Sequence, residues 1–115
     1  MNTPERTITL RETRDEEGTR YLGARIMSTG DLVIEGQDLG SGVTKFFGQG
    51  ITEYEYAWTI PREDVHLLLK ALGGAKTHDI LGVLKEQFSK EPALEVSGLL
   101  KEHHIKYEFW FRHGD

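Results

Sequence analysis

Residues 53–60 read EYEYAWTI, and the residues that follow read PRED. Tyr54, Tyr56, Trp58 and Ile60 alternate with Glu53, Glu55, Ala57 and Thr59, the period of two that marks a strand with one apolar face. At Pro61 the period changes. Proline suits the first helical position, and Glu63 and Asp64 complement the positive end of the helix dipole. Val65, Leu68, Leu69 and Leu72 then recur at the spacing of a buried helical stripe, until Gly73 and Gly74 supply a left-handed stop. The chain therefore passes from strands to helices at Pro61.

Upstream of that point the pattern is strand and turn. Ile8 and Leu10 alternate with polar residues, Asp15 to Gly18 make a polar turn, and Leu22, Ala24 and Ile26 resume the alternation, which predicts a hairpin. Thr29, Gly30 and Asp31 form the next turn before a third strand on Leu32, Val33 and Ile34 that ends at Gly36. Residues 36–50 hold five of the thirteen glycines and read as a loop held by Phe46 and Phe47, with room for a short helical turn. Downstream of Gly74, Thr77 is a candidate cap for a second helix carrying Ile80, Leu81, Leu84 and Phe88 inward, and Pro92 restarts the pattern for a third with Leu94, Val96, Leu99 and Leu100. Ile105, Tyr107, Phe109 and Phe111 return to a period of two.

This order predicts an α+β fold: an antiparallel sheet of about five strands, four N-terminal and one C-terminal, with about three helices packed on one face. At 115 residues and 13.1 kDa, the expectation is a single domain over residues 1–115. The apolar series of the fourth and last strands would face the helices, leaving Glu53, Glu55, Lys106, Glu108, Trp110 and Arg112 on the wet side.

Charge and cysteine content narrow the function classes. Fourteen Lys and Arg against nineteen Asp and Glu leave a net charge of −5, which argues against a nucleic-acid binder that must coat phosphates. Between residues 26 and 61, Asp31, Glu35, Asp38, Glu53 and Glu55 stand against Lys45 alone, a local net charge of −4. The absence of cysteine removes disulfides, thiol catalysis and thiolate metal sites, and it fits a reducing, cytoplasmic setting. No segment has the apolar length of a signal core or a membrane span.

The run DLVIEGQDLG at residues 31–40, the Phe46, Phe47, Gly48 that follows, the EYEYAWTI stretch and the terminal IKYEFWF together resemble a family of small uncharacterised bacterial proteins common in actinobacteria. The resemblance covers roughly residues 31–111 and implies one compact domain. It implies no activity and carries over no functional residue.

Catalytic patterns are few. The stretch LGSGVTKFFGQG fails as a phosphate loop, because Lys45 follows Thr44 and precedes Phe46, and it occupies the place of the third glycine in a dinucleotide fingerprint. His78 with Asp79 has the form of a metal-phosphohydrolase dyad without its supporting ligands, and the simpler reading is a helix cap and an acidic first turn. His103 and His104 diverge by about 100° on a helix and are expected to offset its negative end. With His113 they make a three-histidine site conceivable on composition alone, and neither a metal nor a cofactor is expected. Glu53 and Glu55 lie ~7 Å apart on one strand face, a spacing that inverting glycosidases use but that any such pair shares.

Trp110 is the residue out of register with the aromatics around it. It either packs under the loop at residues 36–50, the favoured fate, or stands exposed as an anchor for a partner. The reading reached is a non-enzymatic binding domain whose acidic sheet face, through Glu35, Glu53, Glu55, Glu108 and Trp110, engages a basic protein, as a toxin-neutralising protein would. A small hydrolase using His78 and Asp79, or Glu53 and Glu55, is one alternative. A pocket for an apolar ligand between sheet and helices is the other. Nothing in the sequence sets the oligomeric state.

Overall fold

A computed structural model describes residues 6–74 and 79–114. Five strands, β1 (Arg6–Asp15), β2 (Gly18–Ile26), β3 (Leu32–Leu39), β4 (Glu53–Ile60) and β5 (Glu108–Gly114), form one sheet in sequence order, each antiparallel to its neighbour. Because consecutive strands pair, the early turns are short, and only two connections carry helices. Between β3 and β4 lies α1 (Ser41–Phe47); between β4 and β5 lie a 3₁₀ turn (Arg62–Asp64), α2 (Val65–Ala71), α3 (Ile80–Lys90) and α4 (Val96–Glu102).

Side chains alternate across the sheet, so the register assigns each to a face. On the inner face, Ile8, Ala24, Ile34, Trp58 and Phe109 make one transverse row, and Leu22, Gly36, Tyr56 and Phe111 make the next. The core forms where α2, α3 and α4 cover this face. Leu22, Leu32, Ile34 and Ile60 from the sheet meet Leu68, Leu81, Leu84 and Leu100 from the helices, all fully buried. Each such side chain contributes about 1.5–3 kcal/mol of burial. Polar contacts fix how the helices sit. The Trp58 indole N–H donates to Ser97 Oγ at 3.0 Å, and Lys106 N–H donates to Asp64 Oδ2 at 3.0 Å.

A bulge interrupts β1, with the register shifting between Thr9 and Arg11. The extra residue, Leu10, packs against the core beside Ile8, and Arg11 pairs with Leu22 in the inner row. From there Arg11 donates through Nη1 to the Pro92 carbonyl at 2.5 Å and lies 5.9 Å from the centre of the Phe88 ring. One irregular residue thus lets an edge strand hold the segment between α3 and α4.

The helical turn allowed for in the glycine-rich segment is a formed helix, α1, which makes four helices among the described residues, and Gly40 and Gly48 bound it with φ of 109° and 107°. Two local expectations need correction. The last strand begins at Glu108, not at Ile105, so Lys106 precedes it and holds no register position in the sheet. Ile105 is buried in the core, but Phe109 and Phe111, although on the inner face, are 46% and 53% exposed because the helices stop short of β5. The expected second helix is α3, from Ile80; its candidate cap Thr77 lies outside the described residues.

Candidate functional site

The register gathers all five acidic and aromatic candidates on the outer face. Gly23, Glu35, Ala57 and Trp110 form one row; Tyr21, Gln37, Glu55 and Arg112 form the next; Thr19, Leu39, Glu53 and Gly114 form a third. On the other side, Arg25, Val33, Thr59 and Glu108 form a fourth row, in which Val33 is buried. A hollow opens between the Trp110 row and the Tyr21 row. It measures about 290 Å³ and is lined by Tyr21, Glu35, Gln37, Glu55 and Trp110. Gly23 has no room for a Cβ, because the Tyr21 ring lies over it. Trp110 is 52% exposed, and the favoured expectation that a loop covers it is overturned: the glycine-rich segment folds as α1 over the inner face, where the Phe47 ring packs at a tilt against Tyr54 and His113, with centroids 4.8 and 4.5 Å away.

Charges on this face are matched in part. Arg25 Nε donates to Glu35 at 3.1 Å. Gln37 Nε2 donates to both Glu53 and Glu55, at 3.0 and 3.3 Å, and Arg112 approaches the same two carboxylates at 3.7 and 3.3 Å. A hydrogen bond shared with Glu55, then the Gln37 amide and the Arg112 charge, hold the Glu53 carboxyl below its usual range. A general acid needs the opposite shift. Glu53 lies one row beyond the hollow, and Glu108 lies outside its lining.

The remaining candidates stand apart. Asp79, at the start of α3, is held by the Arg6 guanidinium at 3.1 and 2.6 Å, and this contact keeps its carboxyl below the ordinary range. His78 lies outside the described residues. His103 and His104 follow α4, and His113 belongs to the aromatic cluster on the inner face. Among the described residues, no three His, Asp or Glu side chains converge as a metal site, and no helix is long and apolar enough to cross a membrane.

One constellation escaped the sequence reading. Beyond the end of the helical cover, the inner face opens into a cleft of about 480 Å³ lined by Arg11, Arg20, Asp38, Tyr56 and the chain at Pro92 and Ala93. Burial pushes the Asp38 carboxyl upward against the pull of Arg20 and Arg11, and burial likewise raises Tyr56. The signal was available: Arg20 and Asp38 hold inner-face positions in strands whose other inner residues are apolar or glycine, and they pair directly across β2 and β3.

Comparison with known proteins finds no matching family model, no similar curated protein and no similar solved structure. Nothing in it bears on the resemblance read from the sequence.

Proposed function

We propose that this chain is a non-enzymatic binding domain whose outer sheet face receives a cationic side chain of a basic protein, in the hollow between Trp110 and Tyr21. The observation that carries the reading is Trp110 itself: a large ring, half exposed, walling a cavity into which Glu35 and Glu55 also face. A guanidinium is recognised by that pairing, since its plane stacks on an aromatic face while its edge donates to carboxylates. Arg25 and Arg112 already occupy part of those carboxylates. The face as a whole still presents five acids, Glu12, Glu35, Glu53, Glu55 and Glu108, against Arg14, Arg25 and Arg112. That excess supports long-range steering of a basic partner, with neutralisation of a basic toxin as one biological form.

The test is a two-dimensional NMR titration of labelled protein with a short arginine-containing peptide and its citrulline counterpart. The arginine peptide should shift the Trp110 indole N–H and the amides of Glu35 and Glu55, more weakly at high salt, and citrulline should not. Glu35→Gln and Glu55→Gln should each reduce the response. Identical shifts with both peptides, or shifts confined to other faces, would remove the hollow from the function.

The inner cleft supports a second reading, a small-ligand pocket. Its lining of two arginines, Asp38 and Tyr56 suits a polar ligand better than the apolar one first considered. A thermal-shift screen with polar and apolar compounds separates the two.

A further inference from the structure

The sheet has two edges of different character. β1 is interrupted by the bulge at Leu10 and carries Arg6, Arg11, Glu12, Arg14 and Asp15, the features that keep an edge strand from pairing with another chain. β5 has no such interruption in its pairing with β4, and it presents Phe109, Trp110 and Phe111 in succession, each about half exposed and together spanning both faces. An uninterrupted edge with apolar flanks is a template for a further strand.

We propose that the further strand is β5 of a second copy of this chain, paired antiparallel about a two-fold axis through Trp110 to give one continuous ten-stranded sheet. The sequence of β5 selects that register. With Trp110 opposite the partner's Trp110, Glu108 falls opposite the partner's Arg112 and Phe109 opposite the partner's Phe111, and the two-fold repeats both pairs. Glu108, Trp110 and Arg112 share the outer face, and Phe109 and Phe111 share the inner face, so every pair meets on one side of the sheet. Moving the axis to Phe111 would set Arg112 opposite the partner's Trp110 and Glu108 opposite the partner's Gly114; moving it to Phe109 would set Arg112 opposite the partner's Lys106. Only the Trp110 axis satisfies both charges. Among the described residues, Glu108 has no ion-pair partner within its own chain, and the guanidinium of Arg112 is more than half exposed.

This pairing leaves the proposed hollow open, because that lies between Trp110 and Glu35, on the side of the tryptophan away from the edge. Two hollows would then flank the two-fold axis. The interface is a single strand pair, small for a permanent dimer, so a reversible dimer with a dissociation constant on the order of 10 μM is expected.

Sedimentation equilibrium of the full chain should show a concentration-dependent monomer–dimer equilibrium. Glu108→Arg, which sets two positive charges opposite each other, should raise the dissociation constant at least about tenfold without changing the monomer's far-ultraviolet spectrum. Adding Arg112→Glu to it should restore association. Since Arg112 also contacts Glu53 and Glu55, a second measurement avoids it. The chain has no cysteine, so a single Trp110→Cys should form an intermolecular disulfide under mild oxidation much faster than Glu108→Cys. A protein that stays monomeric up to ~1 mM, a dimer indifferent to Glu108→Arg, or equal crosslinking at the two positions would overturn the proposal.

Discussion

Gly73 and His104 occupy the same position in two copies of one helix-ending motif. After α2, Gly73 N–H donates to the Lys70 carbonyl at 3.0 Å and Gly74 N–H to the Leu69 carbonyl at 2.8 Å. After α4, His104 N–H donates to the Lys101 carbonyl at 3.2 Å and Ile105 N–H to the Leu100 carbonyl at 3.0 Å. Both residues are left-handed, with φ of 80° and 54°. This is the Schellman arrangement, and the buried pair Ile105 and Leu100 supplies the apolar contact that accompanies it.

A left-handed histidine is strained where a glycine is not, by about 1–2 kcal/mol, of which the lost backbone entropy of glycine offsets part. His104→Gly is therefore expected to raise stability by roughly 0.5–1 kcal/mol. Urea unfolding of the two proteins at one pH measures it, and a loss of stability would mean that the imidazole makes a contact worth more than the strain.

Ile105 and Phe111 differ in burial despite belonging to the same apolar series. Ile105→Ala should cost about 2–5 kcal/mol, because the side chain is enclosed in the core. Phe111→Ala should cost only about 0.5–1.5 kcal/mol, the value of ring contacts with neighbours such as Tyr54 and Phe109. Chemical denaturation at low protein concentration, where association is negligible, gives both numbers; equal costs would place Phe111 in the core.

The two tryptophans should separate in the same way. Trp58→Ala removes a ring packed against the core and a hydrogen bond to Ser97, and about 2–4 kcal/mol should be lost. Trp110→Ala should change monomer stability by no more than ~0.5 kcal/mol. A large melting-temperature drop for Trp110→Ala under monomeric conditions would show that the ring is covered.

Asp38 carries a pH signature. Its folded carboxyl titrates above the ordinary carboxylate range because burial disfavours the charge. The native state then binds more protons than the unfolded state between the two pKa values, so stability falls as pH rises through that window. Asp38→Asn should be more stable than the parent at neutral pH, and the difference should vanish below about pH 4, where the unfolded carboxyl is also protonated. Parallel melting curves from acid to neutral pH test it, and an advantage of the parent at neutral pH would mean that the Arg20 and Arg11 charges dominate.

The sequence by itself determined the kind and order of the elements. Strand alternation at Tyr54, Tyr56 and Trp58, the switch at Pro61 and the stop at Gly73 each report a local backbone preference, and local preferences are written in residues a few positions apart. They also placed Glu53, Glu55 and Trp110 on one face, since a strand's two-residue period is itself local. What only the tertiary structure decided depends on residues far apart in the chain. The extent of helical cover over the sheet left Phe109 and Phe111 open; the path of the glycine-rich segment left Trp110 bare; the register of β3, β4 and β5 brought Gln37 and Arg112 to the carboxylates of Glu53 and Glu55. Exposure and charge matching are sums over neighbours from distant segments, so periodicity within one segment carries no information about them.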